Sequence, residues 1–573
     1  MEKSCQQCQN TFNIDAEDAS FYGKMDVPHP TFCPECRLIH RTLWRNEKTL
    51  YRRECDLCHK NMISIYSSDS PHLIYCRECF HKDSWDSMSY GVDIDFSKPF
   101  LVQLHELQLK VPRISSFVFQ NVNSEYVNGA AFNKNCYMLF VSDYDEDCMY
   151  SYASFKSHTS SDLLNCNECE MCYECVTCTK CYQTLYSEDC SNSQNLIFCK
   201  NCNNCQDCIG CVNLKNVRYA IFNKVVSKEE YKEYLDRLLS RKFMLEVKKK
   251  AQDLQADFPV KYFHGMRNVD VVGDYVSSSK NSQYVFDSDD LEDCKYINHG
   301  HQAKDSQDSY VLVDKSERSY QIISGIALNN TVAGNCVWQG YDIFYSDTCE
   351  NSHHLFGCVG LKKKEYCIFN KQYTKEEYEQ FVPKIIEHMK NMPYTNSKGL
   401  VLTYGDFFPS DFSPFAYNET AAMEYKSLSK EEALSAGFKW KEKDAKAYNI
   451  TLQSENNPDS IKEVQDSVLG EIIECAHKGT CNDSCATAFK VTPEELALCR
   501  RLNIPLPTLC FNCRHGERIQ IRNPRTIYDR QCMCTQKTHV HGDTPCEIKI
   551  ETTYSPDRKE VVYCEACYQQ EVA

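Results

Sequence analysis

Paired cysteines are the most regular chemical feature of this sequence. The chain has 573 residues and 38 cysteines, and its first 79 residues hold four C-x-x-C pairs. Two such pairs supply four thiolates, which form a closed tetrahedral site for one zinc ion. The N-terminal pairs therefore predict two zinc sites, whose ligands are Cys5, Cys8, Cys33 and Cys36 in the first and Cys55, Cys58, Cys76 and Cys79 in the second.

The C-terminal segment repeats this arrangement. TFCPECRLIHRTLWRNEKTLYRREC begins at Thr31 and TLCFNCRHGERIQIRNPRTIYDRQC begins at Thr508, an offset of 477 residues (508 − 31). Beyond Cys532 the offset becomes 488 (564 − 76), so the second copy carries an insertion of eleven residues (488 − 477). The register predicts two further sites, and therefore about four zinc ions per chain. Their ligands are Cys481, Cys485, Cys510 and Cys513 in one and Cys532, Cys546, Cys564 and Cys567 in the other.

The insertion holds other metal-binding residue types. It contains Cys534 and the H-x-H pair His539 and His541. Because four thiolates are already available for the last site, we interpret Cys534 as a spare thiol. Replacement of one cysteine ligand by the H-x-H pair is the alternative. Cys499 aligns with Tyr22 and is not expected to bind metal.

A helix and two short strands are expected to position these ligands. Pro34 is typical of the first turn of a helix that begins at the second C-x-x-C pair. The stretches ISIYSS and HLIYC predict two strands that carry the later pairs. Together they indicate a treble-clef-like site followed by a zinc ribbon. Closed four-cysteine sites are structural, because no coordination position is left for water or substrate.

The middle of the chain has a different cysteine pattern. Six cysteines occupy every third position from Cys166 to Cys181, and cysteines also recur at 24 residues, as in Cys148 and Cys172. A fixed period in the twenties, with short apolar pieces between Asn- and Ser-rich turns, predicts stacked coils of the β-solenoid type. Cysteine side chains would pack in ladders inside such coils. A metal site or a redox store is the alternative interpretation of the run.

A weaker copy of this region follows. GCVNLKNVRYAIFNK begins at Gly210 and GCVGLKKKEYCIFNK begins at Gly357, and each copy ends in a predicted helix with a capping box. We therefore predict a multidomain, mainly β protein with duplicated zinc modules at both termini flanking two β-solenoid blocks with capping helices. The predicted parts are the N-terminal double zinc module (1–82), a linker (83–118), β-solenoid block 1 (119–226), a capping helix (227–262), β-solenoid block 2 (263–373), a second capping helix (374–392), a mixed linker (393–470) and the C-terminal double zinc module (471–573).

Composition narrows the classes of protein. The net charge of −16 argues against a generally basic nucleic-acid binder, and 42% hydrophobic residues indicate a globular chain. The sequence has no run of eighteen apolar residues and no apolar signal core at its polar N-terminus. We therefore expect a cytoplasmic protein without a membrane partner, in which the cysteines stay reduced.

The chain also resembles a group of zinc-ribbon, cysteine- and tyrosine-rich solenoid proteins of candidate-phylum bacteria. The resemblance rests on FCPECR, RNEKTLYRREC, YGVDIDFSKPF, CVNLKNVRYAIFNK, FSPFAYNET and TTYSPDRKEVVYCEACYQQEV, and it covers nearly the whole chain. It implies zinc binding and no defined activity. Some members of the group carry a CaiB/BaiF CoA-transferase label, but this sequence has no CoA-binding feature that would support it.

Three functions are compatible with the sequence. The first is a non-catalytic scaffold that binds a protein or ribonucleoprotein partner, since the chain has no Gly-rich phosphate loop, G-x-S-x-G or H-E-x-x-H motif. The second is nucleic-acid or ribosome binding through helical arginines, namely Arg37, Arg41, Arg45, Arg514, Arg518 and Arg522. Pairing of these arginines with carboxylates of the acidic body is the alternative for the stripe. The third is an enzyme on the solenoid face that uses the acidic clusters 142–148 or 287–293.

Overall fold

The first 82 residues fold as two small cysteine-bearing units in series. The computed structural model describes residues 1–442 and 448–572. The predicted helix after Cys33 is present, with Pro34 as its first residue. The elements of the N-terminal module are β1 (Glu2–Ser4), β2 (Thr11–Asn13), α1 (Ala16–Lys24), α2 (Pro34–Thr42), β3 (Tyr51–Glu54), β4 (Asn61–Ser64), β5 (Ile74–Tyr75) and α3 (Arg77–Phe80). A link follows with α4 (Phe100–Lys110) and β6 (Arg113–Ile114).

Residues 118–221 then pair with themselves at a constant separation. Val122 pairs in parallel with Lys134, Lys134 with Glu146, and Glu146 with His158, so each turn of the chain takes twelve residues. Every third residue has a positive φ, such as Tyr126 at 55°. The strands in this block are β7 (Val118–Phe119), β8 (Ala130–Ala131), β9 (Tyr152–Phe155), β10 (Leu164–Asn167), β11 (Gln194–Ile197), β12 (Gln206–Ile209), β13 (Arg218–Ile221) and β14 (Lys224–Val225).

This geometry explains the cysteine run and corrects its predicted period. Each triplet supplies one paired residue, one residue with positive φ and one buried residue, so four inward side chains line each twelve-residue turn. The cysteines from Cys166 to Cys181 are six consecutive inward positions, and all are buried. The 24-residue spacing in the sequence therefore spans two turns.

Two helices close the first block where a single helix was predicted. They are α5 (Lys228–Arg237) and α6 (Arg241–Ala256). Ser227 caps α5 by accepting a hydrogen bond from the Glu230 amide. The last turn is closed by Asn223, whose side chain accepts from the Val212 amide at 2.8 Å and donates to the Val212 carbonyl at 3.0 Å. Asn370 makes the same pair of bonds with Val359 in the second block.

The second block has the same parallel pairing, but the length of its turns varies. Val269 pairs with Lys280 eleven residues on, Gln283 with Lys295 twelve residues on, and Gln307 with Tyr320 thirteen residues on. Its interior is aliphatic: a Cβ on Gly325 would lie 2.7 Å from Ile322, so the glycine makes room for large neighbours. Its elements are β15 (Val260–Lys261), β16 (Gly265–Met266), β17 (Val269–Ser277), β18 (Lys280–Glu292), β19 (Lys295–Lys304), β20 (Gln307–Val313), β21 (Glu317–Asp347), β22 (His353–Phe356), β23 (Glu365–Ile368), β24 (Lys371–Gln372) and α7 (Lys375–Asn391).

The segment after α7 packs against the N-terminal module. Phe408 contacts Trp44, and Phe415 stacks on Tyr66 with ring centroids 5.2 Å apart. The aromatic loop therefore docks on the N-terminal module. Residues 443–447 of the predicted mixed linker lie outside the described residues. The elements here are β25 (Tyr394–Thr395), β26 (Val401–Leu402), α8 (Ala422–Tyr425) and α9 (Lys430–Ser435).

The C-terminal module repeats the N-terminal one element by element. Its elements are β27 (Ile473–Glu474), β28 (Ala488–Phe489), α10 (Pro493–Leu502), α11 (Phe511–Ile521), β29 (Tyr528–Gln531), β30 (Lys549–Thr552), β31 (Val562–Tyr563) and α12 (Glu565–Val572). Among residues 1–442 and 448–572, no helix combines the length and apolar character needed to cross a membrane.

Each module touches both blocks. β5 pairs in parallel with β6, which leads into the first block, while α2 packs on β20 and β21 of the second block. In the same way, β31 pairs in parallel with β15, which leads into the second block, and α11 packs on β10 of the first. The two modules therefore hold the two blocks together crosswise.

Candidate metal centres

The N-terminal and the C-terminal module each contain two groups of four cysteines. In each group the sulfur atoms are within 4.8 Å of one another, so each group can hold one metal ion. All 38 cysteines lie within the described ranges, and all are free thiols. The four groups, called tetrads below, are Cys5, Cys8, Cys33 and Cys36; Cys55, Cys58, Cys76 and Cys79; Cys475, Cys485, Cys510 and Cys513; and Cys532, Cys546, Cys564 and Cys567.

The same backbone hydrogen bond recurs in all four tetrads. The first cysteine of each accepts a hydrogen bond from the backbone amide of the third: the distance from the Cys33 nitrogen to Cys5 Sγ is 3.3 Å, and that from Cys76 to Cys55 is 3.2 Å. The C-terminal tetrads repeat it at 3.3 Å and 3.2 Å. Such amides stabilise a thiolate, which is the form that binds metal. The donor set therefore fits a divalent metal ion that takes four sulfur ligands.

The electrostatics of the second tetrad point the same way. Burial alone would raise the pKa of Cys55, but hydrogen bonds from the backbone amides of Cys76, Cys58 and Leu57 lower its pKa to about 7. A sulfur with that pKa is about half thiolate at neutral pH, a much larger fraction than an ordinary cysteine has. The site is thus prepared for a cation by the turns that carry the cysteines.

The third tetrad differs from the predicted ligand set by one residue. It contains Cys475, which directly follows β27 as Cys5 follows β1. The predicted ligand Cys481 lies in the longer loop that follows, with its Sγ 3.5 Å from that of Cys513. Five thiols therefore meet at this site. The ungapped register reaches back only to Cys485, so the longer loop before it hid Cys475. The apolar pair Ile472 and Ile473, two positions before Cys475, is the signal that could have revealed a strand there.

The insertion brings a further group of ligands to the fourth tetrad. Cys534, His539 and His541 gather with Cys567, which also belongs to the tetrad. The histidines therefore do not replace a tetrad cysteine, because all four predicted cysteines are together without them. Cys534, interpreted from the sequence as spare, faces both histidines.

The helical arginines beside the tetrads form ion pairs with carboxylates of the same chain. Arg37 Nε donates to Asp308 Oδ1 at 2.9 Å, and Arg41 Nη1 lies 3.1 Å from the same atom. At the other end, Arg514 Nε and Arg518 Nη1 lie 3.0 Å and 2.8 Å from one oxygen of Asp162. Asp308 and Asp162 are fully buried positions of the second and first block.

The third arginine of each stripe is paired as well. Arg45 Nε donates to Glu47 Oε1 at 2.8 Å, and Arg522 forms an ion pair with Asp287. All six predicted arginines have side chains no more than 11% exposed. Pairing with carboxylates, one of the two interpretations of the stripe, is therefore what these contacts show. None of the six guanidinium groups is left facing solvent for a phosphate backbone.

One aspartate of each acidic cluster has a buried side chain, Asp287 beside two arginines and Asp145 inside the first block. Burial alone would raise the pKa of Asp287, but the guanidinium groups of Arg522 and Arg525 hold it well below its usual range. Asp145 points into the first block, where burial raises its pKa to about 7.

The buried thiols of the first block donate hydrogen bonds to carbonyl groups. Cys175 Sγ lies 3.6 Å from the Tyr173 oxygen and 3.2 Å from the Thr184 oxygen. Serines at equivalent inward positions do the same, as Ser187 does to the Leu185 carbonyl at 2.9 Å. Burial raises the pKa of Cys148 well above its usual value. These contacts favour the packing interpretation for neutral thiols.

Comparison with known proteins adds no relative. Neither a scan against protein-family models nor a search of curated proteins found a match. The function must therefore be argued from the tetrads and the contacts that surround them.

Proposed function

We propose that this protein is a non-catalytic, zinc-bound scaffold in which two β-solenoid blocks are clamped together by duplicated zinc modules. Zinc suits the tetrads because it accepts four thiolates in a closed tetrahedral site. In this proposal each chain holds about four structural zinc ions. The scaffold would offer the outer surface of the blocks to a protein or ribonucleoprotein partner.

The observation that carries the proposal is the path from the first and the third tetrad to a buried carboxylate. Cys36 lies in the first turn of α2, and the same helix carries Arg37 and Arg41 to Asp308. Cys513 and Arg514 stand in the same relation in α11, which reaches Asp162. A metal ion that fixes the first turn of such a helix also fixes the guanidinium groups one turn later. The clamp therefore depends on the tetrad.

An exposed aromatic row on the first block supports the idea of a partner. Phe119, Phe132 and Tyr144 are 50%, 39% and 53% exposed. Tyr144 stacks on Phe132 with ring centroids 4.7 Å apart, and Phe119 meets Phe132 edge-on at 5.3 Å. Exposed aromatic rows of this kind are typical of interaction surfaces. Because the side chains rise from successive turns, the row is rigid before any partner arrives.

Metal removal tests the scaffold directly. The zinc content of the purified chain is counted, and hydrogen exchange of α2 and α11 is then followed with and without a chelator. We expect about four zinc ions, and we expect both helices to lose protection when zinc leaves. Full protection in the metal-free protein would contradict a structural role for the tetrads.

The partner is tested by crosslinking from the aromatic row. A photo-reactive residue replaces Tyr144 in cells, with the same residue at Tyr182, an exposed tyrosine outside the row, as the matched control. We expect one defined protein to be captured from the first position and not from the second. Capture of RNA without protein would favour the nucleic-acid alternative, with a binding surface other than the buried arginines.

A further inference from the structure

We propose that the C-terminal insertion builds a fifth metal position that shares Cys567 with the fourth tetrad. Its ligands would be Cys534, His539, His541 and the shared sulfur of Cys567. The four ligand atoms lie within 4.8 Å of one another, as do those of the tetrad. The inference rests on the proposed occupation of the fourth tetrad, because a shared thiolate joins two ions only when both are bound.

The two histidines are oriented as metal ligands are. His541 Nε2 lies 3.2 Å from Cys534 Sγ, while its Nδ1 lies 2.6 Å from the Thr544 carbonyl oxygen. With Nδ1–H donating to that carbonyl, Nε2 is left without a proton and free to bind a cation.

His539 is held in the opposite sense. Its Nδ1 lies 3.1 Å from Cys534 Sγ, and its Nε2 lies 3.4 Å from Glu571 Oε2. A carboxylate that accepts from the outer nitrogen of a ligating histidine is a recurrent feature of zinc sites. Each histidine thus turns one nitrogen to the centre and gives the other to an acceptor outside it.

Three of the four proposed ligands are buried, and His541 is half-buried. Cys534 and Cys567 are fully buried, and His539 is buried. The insertion is tied to α12 by a hydrogen bond from the Val540 amide to Gln570 Oε1 at 3.0 Å. In these tautomers the inward nitrogens of both histidines are acceptors, and the single S–H of Cys534 can donate to only one of them. A cation at the centre binds both.

The ligand chemistry selects the cation. Two thiolates and two imidazoles form a tetrahedral S₂N₂ set, which suits zinc. A cysteine thiolate has lone pairs for two ions, so Cys567 can bridge this position and the tetrad. The twin tetrad at Cys55 lacks the insertion, and its Cys79 occupies the place of Cys567 without such neighbours. The second tetrad therefore serves as a reference site within the same chain, with ligands for one metal ion only.

Metal counting on the full chain is the first test. We expect His541→Gln and Cys534→Ser each to hold one zinc ion fewer than the parent protein. His158→Gln, at a histidine whose side chain is 53% exposed, is the matched control and should leave the count unchanged. Equal counts in the parent and both variants would overturn the fifth position while leaving the tetrads intact. A parent protein without tetrad zinc would overturn both proposals.

Cadmium-113 substitution provides a second measurement that also detects misfolding. Two cadmium ions joined by one sulfur show spin coupling through it, and ions in separate tetrads do not. We expect one coupled pair in the parent protein and its loss in His541→Gln, with the resonances of the three other tetrads unchanged. An uncoupled spectrum of the fully loaded parent would refute the shared thiolate. Changes in all resonances of the variant would show unfolding, and Cys534→Ser would then decide.

Discussion

Replacing Asp145 with asparagine should stabilise the protein, although the residue is buried and hydrogen-bonded. Asp145 is an inward residue whose Oδ1 accepts from the Ser157 amide at 2.8 Å, while its Oδ2 has no hydrogen-bond partner. One turn earlier, Asn133 fills the same position. Its Oδ1 accepts from the Asp145 amide at 2.8 Å, and its Nδ2 donates to the Ser142 carbonyl at 2.8 Å. An amide at position 145 would keep the first bond and supply the missing donor.

The magnitude follows from the pKa of this carboxyl group. Burial raises the pKa of Asp145 from 3.8 to about 7. A raised carboxyl pKa means that the folded state binds the proton more tightly, so its contribution to stability is complete below about pH 4 and is lost as the pH rises through 7. A difference of about 3 pKa units at 1.36 kcal/mol each is ~4 kcal/mol. Allowing for relaxation, we expect Asp145→Asn to raise the free energy of unfolding by about 2 kcal/mol or more at pH 8.

The assay compares urea unfolding of the parent and Asp145→Asn at pH 5 and pH 8. The gain should be clearly smaller at pH 5 than at pH 8, because pH 5 lies between 3.8 and about 7, the range over which the effect develops. Burial also raises the pKa of Asp406 to about 7, so the stability of either protein alone changes with pH for more than one reason. The effect of Asp145 is therefore measured as the difference in the free energy of unfolding between the two proteins at each pH. Asn133→Asp is the reverse control and should lose stability at pH 8. A variant that is destabilised at pH 8, or a gain that does not change with pH, would refute the reasoning.

Three further predictions concern the clamp and the cysteines. Asp308→Asn leaves two buried guanidinium groups without a full counter-charge, so it should lower the free energy of unfolding by about 3–5 kcal/mol. Hydrogen exchange of α2 should then be faster by at least about 10²-fold. The control Asp305→Asn, at an ion pair near the surface, should cost less than about 1 kcal/mol. Cys475→Ser should remove one zinc ion from the chain by metal counting, whereas Cys481→Ser should not, because Cys481 lies outside the tetrad; equal losses would mean that the two thiols share the ion. Cys175→Ser should cost less than about 1 kcal/mol in urea unfolding and no metal, since a serine fits the same carbonyls; lost metal would restore the metal interpretation of the run.

The tetrads could be predicted from sequence because their geometry is local. A C-x-x-C turn places two sulfur atoms together wherever it occurs, and the internal repeat showed which pairs belong together. Fifteen of the sixteen predicted ligands lie in the four tetrads, and the Sγ of the sixteenth, Cys481, lies 3.5 Å from that of Cys513 in the third. Cys475 was missed because a loop of different length separates the first two ligands in the C-terminal copy. The flanking strands are only two or three residues long, which is too short for the sequence pattern to show where the loop begins.

The twelve-residue turn was harder to predict because its unit is a triplet. A three-residue period is neither the alternation of a strand nor the 3.6-residue period of a helix. Only the stretch from Cys166 to Cys181, where one residue type fills six inward positions in a row, displays it openly. Elsewhere serine, leucine and asparagine share those positions. The partners of the arginines were harder still, since Arg37 and Asp308 are 271 residues apart.

The crosswise clamp connects the duplication of the chain to its assembly. The first block presents Asp162, whose guanidinium partners Arg514 and Arg518 are more than 350 residues away, and the second block presents Asp308 to helix α2 near the N-terminus. A buried carboxylate without its counter-charge is costly, so neither block reaches its final environment until the opposite module has docked. In the proposed scaffold, a module docks once bound zinc fixes the first turn of its helix. In the proposed scaffold, zinc therefore controls when the two blocks are joined as well as how firmly they are held.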